Sequence, residues 1–185
     1  MKKNLVVIDM QNDFITGTLP ANGGVEIVPR IVDKIKNGNY DRIIYTKDIH
    51  SPNEYKHTLE GKNISEHCIT DTEGQELNQD IYCAITVKAF KKETKTIEIK
   101  KDTFGSFLLS GYIMSDHNYD FKDDELEIEF CGVCTDICVI SNALILRSFY
   151  PNARIIVDSS CCAGTSKEAH EAALMIMKNC LIEVI

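Results

Sequence analysis

The chain has 185 residues, 44% hydrophobic and 26% charged, an ordinary globular balance with length for a substantial core, most simply one domain over residues 1–185. Its 20 Lys and Arg against 28 Asp and Glu give a net charge of −8, which argues against nucleic acid or anionic membrane as the main partner. No apolar run approaches the length of a membrane span, and Met1–Asn4 leads straight into a short strand rather than a signal peptide.

Asn4–Asp9 is apolar until its closing acid, as in the first strand of a parallel sheet buried on both faces. Asp9 then sits at the carboxyl end of that strand, where open α/β sheets place their sites, or else it caps the following turn. Gln11–Phe14 reads as loop, Gly17 and Gly23–Gly24 as turns, and Val25–Lys36 as a helix stopped by Gly38. Arg42–Thr46 is the second strand, with Lys47–His50 hanging from its carboxyl end. From Ser51 to Gln79 the chain is polar and broken by Pro52, Gly61 and Gly74, a long loop of the kind that often serves function. Asp48, His50, His57, Glu60 and His67 gather here. Asp-x-His followed by further nitrogen and oxygen donors is a plausible set for divalent Zn, Fe or Mn, and solvated loop histidines are the plain alternative.

Ile81–Phe90 fits helix or strand, Lys91–Lys95 is an exposed charged turn, and Thr96–Lys101 alternates like a strand. Lys101 opens a turn that runs to Phe107 and closes on two aromatic rings. Glu125–Cys131 is the next buried strand, Gly132 marks a bend, and Ile137–Phe149 has helical spacing with Thr135 or Asp136 as N-cap. Cys138 therefore falls in a first helical turn, where free N–H groups and the helix dipole favour a thiolate. A small buried residue is the equal alternative, since free cysteines are commonly buried. Pro151 and Asn152 break the chain, Arg154–Asp158 is another buried strand, and Cys161–Gly164 reads as loop. Ser166 caps a helix over Lys167–Asn179, with Glu168 complementing its dipole, and Leu181–Ile185 forms a final edge strand. Strands alternating with helices predict a mostly parallel sheet with helices on both faces and the first strand central.

The 8 cysteines lie in predicted strands and helices of a chain large enough to do without staples, so reduced thiols in a cytoplasmic protein are expected. A structural zinc held by Cys131, Cys134 and Cys138, or by Cys161 and Cys162, lacks the second CxxC such sites need.

Four ordered motifs, together covering nearly the whole chain, resemble the isochorismatase-like cysteine hydrolases and, within them, the nicotinamidases. They are Val6–Phe14, Thr46–His50 with Glu66–Cys68, Lys101 with Phe104–Phe107, and Gly132–Val139. The resemblance implies an α/β, three-layer, doubly wound fold on a mostly parallel six-stranded sheet, and a catalytic triad of Asp9, Lys101 and Cys138. In that scheme Lys101 and the helix start lower the thiol pKa, and Asp9 moves the proton from thiol to departing ammonia. Backbone N–H groups of Cys134 and Cys138 form the oxyanion hole, aimed by a cis peptide between Val133 and Cys134. Phe14, Val133 and Gln11 contact substrate. Asp48, His50, Glu60 and His67 hold a divalent metal, zinc first with Fe or Mn as rivals, and His57 competes with Glu60 for the fourth place. Cys134 stands where the family has alanine, adding a thiol beside the nucleophile, and Gly105 stands where it has serine, with a wider or looser pocket wall as the expected result.

The function this implies is metal-dependent hydrolysis of nicotinamide, or a close small aromatic amide, to the acid and ammonia. Hydrolysis of another small amide or of isochorismate is the rival within the class, though isochorismate needs no thiol. A non-catalytic small-ligand binding protein of the same fold, homo-oligomeric or not, is the rival from another class.

Overall fold

A computed structural model describes residues 1–91, 94–114 and 122–185; Lys92 and Glu93 of the expected charged turn lie outside them. Parallel strands need a crossover to return the chain to the same sheet edge, and here helices supply most of them. Strands β1 (Lys2–Ile8), β2 (Arg42–Asp48), β3 (Lys95–Lys101), β4 (Leu126–Val133), β5 (Arg154–Ala163) and β6 (Glu183–Val184) pair in the order β3-β2-β1-β4-β5-β6, all parallel. The chain runs outward from β1 through β2 to β3, then returns to β1's other side with β4. That reversal makes the carboxyl ends of β1 and β4 a topological switch point, where such sheets open a crevice.

Side chains of one strand alternate between faces, and β1 divides accordingly. Leu5 and Val7 join a core beneath α2 (Gly24–Asn37) and α3 (Gln79–Phe90). Val6 and Ile8 join a second core beneath α4 (Phe107–Met114), α5 (Ile140–Phe149) and α6 (Lys167–Asn179). Both faces are covered, so β1 is apolar throughout rather than alternating. No helix among the described residues is long and apolar enough to cross a membrane.

Several local expectations are corrected. Gln11–Phe14 is not all loop, since Asn12–Ile15 forms a short helix, α1. The ambiguous Ile81–Phe90 is helical, started by the Asn78 side chain accepting from Asp80 N and Ile81 N. α4 was not foreseen. Gly132 marks an irregularity within β4, whose register on β5 shifts between Phe130 and Gly132: its φ is 119°, and a Cβ would stand 2.1 Å from Ile8 O, so β1's approach demands glycine. Cys161–Ala163 is strand, because β4 continues to Val133 and pairs Gly132 with Cys162 and Val133 with Ala163. Thr135 and Asp136 do not cap the following helix. A π-helical turn, Thr135–Val139, begins directly after Cys134. Thr135 Oγ1 instead meets His170 Nδ1 at 2.8 Å, and Asp136 accepts from Thr165 N and Oγ1. Ser166 does cap α6, accepting from Ala169 N at 3.1 Å.

Candidate active site

The carboxyl ends of three strands and one helix start converge at the switch point. Asp9, just past β1, is fully buried with φ 48°, a left-handed backbone that costs a non-glycine residue about 1 kcal/mol. Thr46 of β2 holds it twice, accepting from Asp9 N at 3.1 Å and donating to Asp9 Oδ1 at 2.6 Å. Lys101, the last residue of β3, places Nζ 2.7 Å from Asp9 Oδ2, 3.4 Å from Asp48 Oδ1 and 3.7 Å from Cys138 Sγ. Asn142, buried in α5, locks the arrangement from behind. Its amide donates to Phe104 O and Cys138 O, and its Oδ1 accepts from Ser106 N. The turn after Lys101 is thereby tied to the helix that carries the thiol.

Burial dominates the protonation of these groups. It raises the Asp9 carboxyl, with Lys101 opposing. It works to lower Lys101, but Asp9, Cys138 and Asp48 outweigh it, so the ammonium keeps its proton. It raises the Cys138 thiol well above its ordinary value, and Lys101 recovers only part of that. Burial and the neighbouring carboxylates thus act on the thiol against the lowering expected from Lys101 and the helix start.

A second cluster adjoins the first through Asp48. Ligand-type atoms of Asp48, His50, Glu60 and His67 all lie within 4.8 Å of one another. His50 Nε2 stands 3.2 Å from Asp48 Oδ2 and 3.8 Å from Glu60 Oε1; His67 Nε2 stands 3.3 Å and 3.5 Å from the same two atoms. Ligands about 2.0–2.2 Å from a tetrahedral ion lie about 3.3–3.6 Å apart, so these spacings suit one ion bound by two imidazoles and two carboxylates. Charge points the same way, because Asp9, Asp48 and Glu60 face one ammonium, Lys101. His67 Nδ1 lies 2.8 Å from Ser65 O, a contact that orients the ring with Nε2 facing Asp48 and Glu60. His57 is exposed and outside the cluster, so Glu60 completes it.

Between the clusters opens a cavity of about 360 Å³, walled by Phe14, Leu19, Ile64, Phe104 and Ile137 and reached by Asp48, Glu60, His67, Cys134 and Cys138. Gln11 does not line it. Its amide donates to Asp48 O and Gln75 O and accepts from Asp48 N, so it braces Asp48 from beneath. Val133 is fully buried and also off the wall, and its peptide bond to Cys134 is cis. Burial pushes the Cys134 thiol up to about 12. At Gly105 a Cβ would meet Ile145 Cδ1 at 2.6 Å, so glycine lets the turn pack closely on α5. Thr46 and Asn142 were missed by sequence reasoning, and a lone Asn inside the apolar run Ile137–Phe149 was the available signal.

The chain is 26% identical over 211 residues to the nicotinamidase of Schizosaccharomyces pombe, covering 98% of this chain and 91% of that protein. It is 26% identical over 192 residues to the nicotinamidase/pyrazinamidase of Mycobacterium tuberculosis, covering 98% and 97%. Its fold matches the crystal structure of nicotinamidase/pyrazinamidase PncA from Bacillus subtilis with a TM-score of 0.76 at 26% identity, over 100% of this chain and 99% of that one. The isochorismatase domain pattern itself runs from residue 3 to residue 185. With that pattern filling the chain and the strand order bringing its motifs to one crevice, this protein belongs to the isochorismatase family.

Proposed function

We propose that this chain is an amidohydrolase that converts nicotinamide, or a close small aromatic amide, to the carboxylic acid and ammonia through an acyl-enzyme on Cys138. One observation carries the reading: the acid of Asp9 and the thiol of Cys138 lie 2.7 and 3.7 Å from the shared Lys101 Nζ, beside a largely apolar cavity of about 360 Å³. The similarity to nicotinamidases supports the same substrate class.

The resting thiol needs a base, and the raised carboxyl of Asp9 is matched to that work. Asp9 takes the Cys138 proton while Lys101 stabilises the forming thiolate. The sulfur adds to the amide carbon, and the carbonyl oxygen becomes an oxyanion facing the N–H groups of Cys134 and Cys138. Collapse breaks the C–N bond as Asp9 returns its proton to nitrogen, so ammonia leaves rather than an amide anion. Water then attacks the thioester, Asp9 takes its proton, and Cys138 is regenerated as the acid departs. Phe14 offers a ring face to the substrate. Asp48, His50, Glu60 and His67 would hold a divalent ion, zinc being the best match to the donor set, and it would supply Lewis-acid attraction for a ring nitrogen entering as an added ligand. Eight free thiols suit a reducing, cytoplasmic setting.

Ammonia release should be assayed on nicotinamide and a panel of small amides, with and without added zinc, iron or manganese. Turnover of nicotinamide by wild type and none by Cys138→Ala is expected. Equal turnover by the two proteins removes the mechanism, and a preference for amides without a ring nitrogen removes the metal's role.

A further inference from the structure

Helix α4 is apolar on both sides. Leu109, Ser110 and Ile113 face the core, while Phe107, Leu108, Gly111, Tyr112 and Met114 occupy the opposite arc. A helix hydrophobic all round is ordinarily an interior helix. The surface helix α2 shows the usual contrast, with Glu26, Arg30, Asp33 and Lys36 on its outer side. On α4, Phe107 is 71% exposed, Leu108 59% and Met114 53%. Phe149 of α5, 49% exposed, extends the surface, its ring edge-on to Phe107 at 6.3 Å. Phe104, 39% exposed, carries it to the cavity wall.

Two further features say what covers this face. Between Thr103 and Met114 there is no Asp, Glu, Lys or Arg, so two copies of an acidic chain can meet there without like charges opposing. Gly111 has open space where a Cβ would stand, so no neighbour among the described residues requires glycine mid-helix; its absent side chain favours close approach of a second backbone. With about 200 Å² for each fully exposed ring, the three phenylalanines, Leu108 and Met114 offer roughly 500 Å² of apolar surface. Homodimer interfaces are about 65% apolar, so such a centre belongs to a contact of about 800 Å² per partner, the standard size of a specific interface.

We propose that this face is the contact surface of a homodimer in which a second copy lays its α4 across the first about a two-fold axis, Gly111 near the crossing. Sedimentation velocity from roughly 1 to roughly 100 µM tests it, a range in which an interface of this size should assemble. Wild type should reach twice the 20.8 kDa chain mass. Phe107→Asp and Gly111→Arg should each raise the dissociation constant at least about thirtyfold with circular dichroism unchanged, the second because the monomer has room for the side chain. Phe90→Glu, on the exposed apolar side of α3, should leave the dimer intact. A wild type that stays at 20.8 kDa, a dimer that survives both α4 substitutions, or one that Phe90→Glu dissociates instead would each overturn the assignment.

Discussion

Lys34 and Lys101 each lie between two carboxylates, Lys34 between Glu129 and Asp158, Lys101 between Asp9 and Asp48. Around Lys34 every partner is answered. Tyr40 Oη donates to Glu129 at 2.7 Å, and Ser160 donates to Asp158 Oδ1 from its hydroxyl and its amide. Around Lys101 one ammonium faces Asp9, Asp48 and Glu60, a thiol stands at 3.7 Å, and a cavity opens alongside. A buried ion pair is therefore a poor marker of chemistry. Three carboxylates and a thiol gathered on one buried ammonium beside a cavity are a better one, because such a set is more than the ion pair itself requires.

The sharpest way to break the contrast is to delete one thiol from each region. Cys138→Ala should lower ammonia release by at least about a thousandfold, whereas Cys161→Ala, in the groove beside Lys34, should stay within about twofold. Equal losses would merge the regions. Removing the cations comes next. Lys101→Met and Lys34→Met should each cost about 3 kcal/mol in urea denaturation, because each strands buried carboxylates. Only Lys101→Met should also silence the molecules that remain folded.

Metal gives a smaller, more specific signal. Zinc at about one hundred times its dissociation constant should add about 2.7 kcal/mol to stability, a rise in Tm of roughly 5–10 °C. His67→Ala should lose that rise while Lys34→Met keeps it.

The smallest effect is a difference of sign with pH. Burial works to raise Asp158, but bonds from Lys34 and Ser160 prevail, and its carboxyl is held below the ordinary 3.8. Its stabilisation is present above about pH 3.8 and is lost as pH falls through the depressed value. Asp9 is raised by burial, so folding favours its protonated form. That contribution is present below about pH 3.8 and is lost as pH rises through the raised value. At neutral pH, Asp158→Asn should therefore destabilise and Asp9→Asn should not, although Asp9→Asn should abolish turnover. Chemical denaturation across the acid range reads both, and a matching pair of losses would end the comparison.

Much of this architecture was legible in the chain order. β1 reads as central because an apolar run with no alternation must be covered on both faces, and Ser166 starts α6 through its own side chain. Asp48, His50, His57, Glu60 and His67 stood out as donor types in one polar loop, and Cys138 as a sulfur at a strand-to-helix junction. What failed was local detail governed by distant neighbours. Thr135 and Asp136 are good N-cap residues, but His170 and Thr165 claim their side chains. Cys161–Ala163 has no strand signal, and β4 makes it one by continuing alongside.

The sequence by itself determined the alternation of strands and helices, the two-faced core and the residue types available for chemistry, because hydrophobic period and capping are local properties. Only the tertiary structure decided which of those residues meet. Strand order set Lys101 beside Asp9, loop packing placed Glu60 and not His57 in the donor cluster, and burial opposes the thiolate that the helix start favours. Distance and desolvation depend on neighbours far along the chain, and no window of sequence contains them.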